Sequence, residues 1–241
     1  MRPNTHEVKV ILEKALGFVC DTARKSEQKE RSLCNCHTEG VFSIWLADNL
    51  RVFMVLDEEG IPLWSKFDTE LPHNNNESFL LHNHRYPLTS IPLSDPSTTQ
   101  QLNVLYEEVA DTQTFTETYK KYRYYSALFE EDKKAKYVTE GKVLLKRTSY
   151  SLNEPWFMEE NDIHRIVWKG PIIALLQEHK EVGFVNKNPT EAFLVDSAER
   201  IPCEQFEHSL YQPITAQDFE LCVSKLQNAL QRSLLERYRL L

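Results

Sequence analysis

Two runs of β-branched and aromatic residues, VFSIWLA (41–47) and RVFMVLD (51–57), flank the turn former Asp48-Asn49-Leu50. Such residues fit a pleated, half-buried surface, and the short polar break between them reads as a tight turn, so the segment predicts a strand pair. A strand pair is not stable alone in water and needs further strands or helices to cover its apolar face. Both ends of the chain supply candidates. Val8, Leu12, Ala15, Leu16 and Val19 recur at spacings of three and four, which predicts an amphipathic helix over about residues 6 to 25. Near the C-terminus, Phe219, Cys222, Val223, Leu226, Leu230 and Leu234 fall on one helical face behind Thr215, an N-cap residue with Asp218 three positions on. Arg232, Arg237 and Arg239 follow where the helix dipole favours cations. The expected class is therefore α/β in the broad sense, more narrowly α+β: a mixed β-sheet with flanking helices.

Between these ends the pattern is less regular. IPLWSKF (61–67) reads as a third strand with Pro62 at its edge or start, 71–77 as a loop, and SFLLHNH (78–84) as a strand buried in its first half. The proline-containing stretch 85–99 reads as irregular. A helix is expected through Leu102, Leu105, Tyr106 and Val109, another over the Tyr-, Lys- and Glu-rich residues 114–137, and a short one over Ile172–His179 behind Pro171. Strands are expected at 141–152, 183–186 and 192–196. A division into 1–112 and 113–241 is drawn where the composition changes, the second part being a C-terminal α+β region that forms its own unit or completes the first.

Composition narrows the function classes. Six glycines in 241 residues, with no GxGxxG and no GxxxxGK[ST], disfavour nucleotide binding by backbone amides. Twenty-eight Lys and Arg against 36 Asp and Glu give a net charge of −8, whose average field repels duplex nucleic acid. The one interleaving of basic and aromatic residues, Tyr119 to Tyr125, reads as a solvated helix face with buried rings. The odd count of five cysteines, with Cys203 and Cys222 far from the first three, argues against a secreted disulfide framework. No apolar run approaches the length of a membrane span, and the charged N-terminal segment does not read as a signal peptide, so a cytoplasmic protein is expected.

His82-Asn83-His84 carries the most chemistry. On a strand, residues i and i+2 point to the same face, so two imidazoles at a strand end can share one cation. Zinc accepts imidazole nitrogen and carboxylate oxygen, and its catalytic sites use three protein ligands plus a water. Asp95, eleven residues after His84, is the third ligand expected, through a loop that returns to the histidines. Cys34-Asn35-Cys36-His37 lacks an evident second pair of ligands and reads as reduced thiols. Glu58, Glu59, Glu70 and Glu77 are weaker candidates than Glu39 for a base. His164 and His208 read as surface or internally satisfied residues.

The string LLHNH, the proline-containing loop after it and Asp95 resemble the JAB/JAMM (MPN) metalloprotease family, in particular its RadC-type branch. Glu39, 43 residues before His82, stands ahead of a hydrophobic strand and an Asp-Asn turn as the upstream glutamate of that family does. The resemblance covers about residues 35–110. Arg85 and Pro92 stand where the family usually carries proline and serine, with Ser90 and Ser94 close by. It implies a JAB/MPN-like (cytidine-deaminase-like) core and a zinc-dependent hydrolase of amide or isopeptide bonds acting on a protein or peptide. It further implies His82, His84 and Asp95 as metal ligands, Glu39 as general base, and Ser90 or Ser94 as the hydroxyl facing the oxyanion. The alternative is a non-catalytic interaction protein, a decayed member of that fold whose C-terminal helix docks a partner or a second copy.

Overall fold

The computed structural model describes residues 3–36, 40–56, 81–110, 116–125, 136–180, 190–195 and 212–237. Among them the molecule is α+β, with strands predominating over three α-helices. Helix α1 (Thr5–Cys20) begins at a capping box, in which Asn4 Oδ1 accepts from Glu7 N–H and Glu7 Oε2 accepts from Asn4 N–H, both at 2.9 Å. The single helix expected over 6–25 is two. Asp21 adopts an extended backbone, ends α1 and caps α2 (Thr22–Arg31) by accepting from Arg24 N–H. Helix α3 (Ala216–Arg232) starts at Thr215 as expected, and its apolar face is buried over Phe219, Cys222, Val223, Leu226, Ala229 and Leu230.

The strands form two antiparallel systems. The first is a seven-stranded sheet containing β1 (Leu33–Cys34), β2 (Val41–Ala47), β3 (Leu50–Val55), β5 (Leu88–Pro92), β9 (Trp156–Met158), β11 (Ile172–Glu178) and β13 (Gln212–Pro213), in the order β13-β1-β2-β3-β11-β5-β9. The second is a closed barrel of β4 (Leu81–His82), β6 (Gln100–Val109), β7 (Thr116–Tyr125), β8 (Lys136–Leu152), β10 (Ile163–Lys169) and β12 (Thr190–Val195), in the order β10-β4-β12-β7-β8-β6. Both systems draw strands from either side of residue 112, so the two stretches 1–112 and 113–241 interleave in each layer.

The expected hairpin is β2–β3, paired from Val41↔Val55 to Ala47↔Leu50. One face of the sheet carries Ile44, Leu46, Val52, Met54, Ile91 and Leu175 against α1 and α3, forming the main core. The opposite face carries Leu88, Trp156, Met158 and Leu176, and here Leu105 of the barrel packs against it. The architecture is helices on sheet on barrel, with a further apolar cluster, Leu81, Tyr119, Leu145, Ile163 and Phe193, inside the barrel.

Covering the sheet on both faces explains one departure from expectation. Ile172–Glu178 is strand β11, not a helix: every residue of it except Gln177 is buried, because alternate side chains enter different cores. A continuous apolar run is what a doubly covered strand requires, and it has no period that separates it from a short helix. Residues 100–109 and 116–125 are likewise strands where helices were expected. Their Thr, Tyr and Val content suits a pleat, and β6 pairs with β8 and β10 and β7 with β12 far along the chain, while β7 also pairs with the next strand, β8. The strand expected at 141–152 is the second part of β8, and that at 192–196 overlaps β12. The strands expected at 61–67 and 183–186 lie outside the described residues.

Gly170 makes the turn that leads from barrel to sheet. Its φ is +81°, and a Cβ there would stand 2.5 Å from the carbonyl oxygen of Thr98, so both conformation and space require glycine. No described helix is long and apolar enough to cross a membrane.

Candidate metal centre

His82 closes the short strand β4 and sits between two neighbours, with His164 of β10 opposite it on one side and Ala192 of β12 on the other. His84 lies two residues on, where the chain has left the strand, and its N–H donates to the carbonyl of Glu160. The three imidazoles converge, with ring centroids 4.7 to 4.9 Å apart. One ring nitrogen from each lies within 4.8 Å of the other two, and among the described residues this is the group of metal-ligating side chains that could hold an ion.

Residues on both sides of His84 are tied down. Asn83 exchanges hydrogen bonds with Glu191, donating from Nδ2 to Oε2 at 3.0 Å and accepting at Oδ1 from Glu191 N–H at 2.8 Å. Glu191 also binds Lys121 Nζ at 2.7 Å. Tyr86 donates its hydroxyl to Glu178 Oε1 at 3.0 Å, and Glu178 pairs with Arg51 Nε at 3.2 Å and with Lys180. The segment carrying His82 and His84 is thus anchored to the barrel at Asn83 and to the sheet at Tyr86.

His164 is 2% exposed. Burial, with the nearby His82 as a second cause, holds its pKa well below the ordinary imidazole value, so it stays neutral and offers a lone pair without having to lose a proton. Its Nε2 lies 2.7 Å from His84 Nε2, and its Nδ1 is buried without a hydrogen-bond partner. The ring therefore depends on the cluster for its polar contacts.

A tetrahedral ion with metal–nitrogen bonds of about 2.0–2.1 Å needs its ligand nitrogens about 3.3 Å apart. The 2.7 Å contact is instead the separation of an N–H···N hydrogen bond. The two rings fit an ion once the shared proton sits on the Nδ1 of its own ring, both imidazoles staying neutral, and the rings move apart by roughly half an ångström. The donor set, three neutral imidazoles, suits zinc and also iron, copper and nickel.

Sequence reasoning expected Asp95 as the third ligand, and the structure places it elsewhere. The stretch 85–94 is not a returning loop. It contains strand β5, which carries the chain about 16 Å away from His84 over its five residues. Asp95 opens the turn beyond β5, accepts from Ser97 N–H at 2.9 Å and Ser97 Oγ at 2.6 Å, and pairs with Arg232 of α3 at 3.5 Å. The same turn supplies Thr98, which abuts Gly170, six residues along from His164 and therefore about 20 Å down β10. Hydrogen bonds from Ser97, followed by the Arg232 charge, hold the Asp95 carboxyl below its usual range, as expected of a structural turn residue.

His164, read from sequence as a surface or satisfied residue, takes the third position. A strand pairing 82 residues long in sequence brings it to His82, and no local spacing announces it. The one available hint was the apolar run around it in IHRIVW. Ser90 lies on β5 and is wholly buried, and Ser94 Oγ accepts from Ile173 N–H at 2.7 Å; neither is tied to the imidazoles by a hydrogen bond. Glu39, His37 and the alternative bases Glu58, Glu59, Glu70 and Glu77 lie outside the described residues, as does His208.

The other sequence candidates resolve as structure. The basic and aromatic segment is strand β7, where Lys121 meets Glu191 and Glu108, and Arg123 meets Glu140. Cys34 and Cys36 are unbridged thiols, and burial pushes that of Cys36 up to about 12. Compared with known proteins, the chain matches no protein-family model, no curated protein and no solved structure.

Proposed function

We propose that this protein is a metal-dependent hydrolase, with His82, His84 and His164 holding one zinc ion and a water at the remaining coordination position. The observation that carries the reading is the convergence of three ligating nitrogens within 4.8 Å of one another. Three histidines with an open fourth position form a catalytic rather than a closed structural zinc set. Bound there, zinc lowers the pKa of its water to about 7 and polarises a carbonyl oxygen. The substrate in this reading is an amide or isopeptide bond of a protein or peptide, and Glu39 is the base that takes the water's proton. His164 replaces Asp95 in the ligand set, so this part of the JAB-like pattern is not carried over.

One observation favours a second reading. The hydrogen bond between His84 and His164 satisfies the cluster partly without an ion, as a polar core residue pair would be satisfied. The protein is then a non-catalytic interaction module.

Metal analysis of the purified chain separates the two. The hydrolase reading expects about one zinc per chain, lost in His164→Ala and in His84→Ala while far-UV circular dichroism is unchanged. A folded, metal-free wild type that takes up neither zinc nor cobalt on titration removes the hydrolase and leaves the interaction module. Stoichiometric iron or copper in place of zinc keeps the site and moves its chemistry from hydrolysis to redox reactions.

A further inference from the structure

The face of the barrel that meets the sheet holds an unusual group of polar side chains. On β6, Gln101 and Asn103 alternate to the same side as Leu105, and Leu105 packs on the sheet cluster of Leu88, Trp156, Met158 and Leu176. Gln101 is 0% and Asn103 1% exposed, and neither end of either amide has a hydrogen-bond partner. On the facing sheet, Ser90 and Trp156 are cross-strand neighbours of β5 and β9, 0% and 6% exposed. Ser90 Oγ and Trp156 Nε1 are also without partners, as is Ser151 Oγ, which lies opposite Asn103 in the β6–β8 ladder.

Buried amides, hydroxyls and indole N–H groups are almost always paired, because an unpaired one forfeits its hydration for nothing. A few isolated exceptions are ordinary. Five residues with orphaned groups on the two walls of one seam are not. The grouping is that of a site whose partners come from outside the chain.

We propose that this seam is a binding site for a small uncharged ligand of the amide class. The chemistry of the walls selects it. None of the five residues is ionisable in the physiological range, so a charged ligand would lose its hydration without gaining a counter-ion. The two carboxamides each present a donor edge and an acceptor edge, the indole adds a donor, and the hydroxyls serve either role. A ligand with an adjacent N–H and C=O satisfies them; a hydrocarbon or an anion does not. The site borders the imidazole triad, since His164 stands directly opposite Leu105 in the β10–β6 ladder and Asn103 is two residues further on. Binding in the seam requires no metal at the triad.

The test uses acetamide and its charged isostere acetate, followed on the Trp156 indole N–H resonance of the full-length chain. Trp156→Phe identifies that resonance. Acetamide is expected to shift it saturably in the millimolar range and acetate to leave it in place at the same concentration. Asn103→Leu is expected to weaken the acetamide response by about tenfold, with Ser90→Ala as an independent second variant that disturbs packing less. No saturable shift with acetamide overturns the proposal, as does an equal shift with acetate or a response unchanged in both variants. An indole N–H in contact with long-lived water, and indifferent to acetamide, also overturns it, because the seam is then hydrated structure only.

Discussion

Glu178 offers a measurable test of how the segment carrying His82 and His84 is held. It is 1% exposed, and its carboxylate lies between Arg51, Lys180 and the Tyr86 hydroxyl. Burial by itself raises its pKa, but Arg51, Lys180 and the hydrogen bond from Tyr86 outweigh burial and leave the carboxyl below its usual value of 4.5. Glu178→Gln keeps the shape and removes the negative charge that Arg51 and Lys180 both face. Removing one partner of a buried ion pair costs about 3–5 kcal/mol. The Arg51 and Lys180 side chains are 21% and 19% exposed, so water recovers part of that, and we expect the lower end, about 3 kcal/mol. For a chain of this size that lowers Tm by roughly 6–12 °C, read by differential scanning calorimetry at neutral pH. Tyr86→Phe removes one hydrogen bond to a charged group and should cost about 1.5–3 kcal/mol.

The pH dependence carries its own sign. A carboxyl with a depressed folded-state pKa contributes stability that is fully present above its unfolded pKa and is lost as pH falls through the folded value. The gap between wild type and Glu178→Gln should therefore hold from pH 7 down to about 5 and close below about 4.5. A variant whose Tm stays within about 2 °C of wild type at pH 7, or a gap that widens on acidification, would refute this account of the network.

Two further substitutions test the frame around the site. Gly170→Ala places a methyl group against the Thr98 carbonyl at a left-handed φ, and should destabilise by about 2–3 kcal/mol in urea titrations, where a loss under 0.5 would show that the turn relaxes freely. Leu226→Ala, at a fully buried position of α3 in the main core, should cost about 2–5 kcal/mol, whereas a smaller loss would mean that α3 does not seal the sheet as described.

His82 and His84 were readable because their chemistry is local: two imidazoles two residues apart stay neighbours, 4.8 Å between centroids, even though the strand ends at His82. His164 and Asp95 show the reverse. Whether the ten intervening residues return as a loop or leave as a strand depends on whether β11 and β9 are present to pair with them, and both partners lie more than 60 residues away in sequence. A candidate ligand delivered by strand pairing has no spacing to recognise. The orphaned amides of Gln101 and Asn103 were invisible for a related reason, since a polar residue in a strand is ordinary until the opposite layer covers it.

The sequence alone determined the elements that depend on near neighbours. These are the hairpin at 41–55 with its Asp-Asn turn, the Thr215-capped helix with its buried Phe219, Cys222, Val223, Leu226 and Leu230, and the paired histidines. Only the tertiary structure decided that Ile172–Glu178 is a strand, that Asp95 belongs to a turn, and that His164 completes the triad. Caps, turns and face periodicity act over a few residues and are written in them. Strand partnership and burial on both faces are properties of segments far apart, and take effect only once the chain has closed on itself.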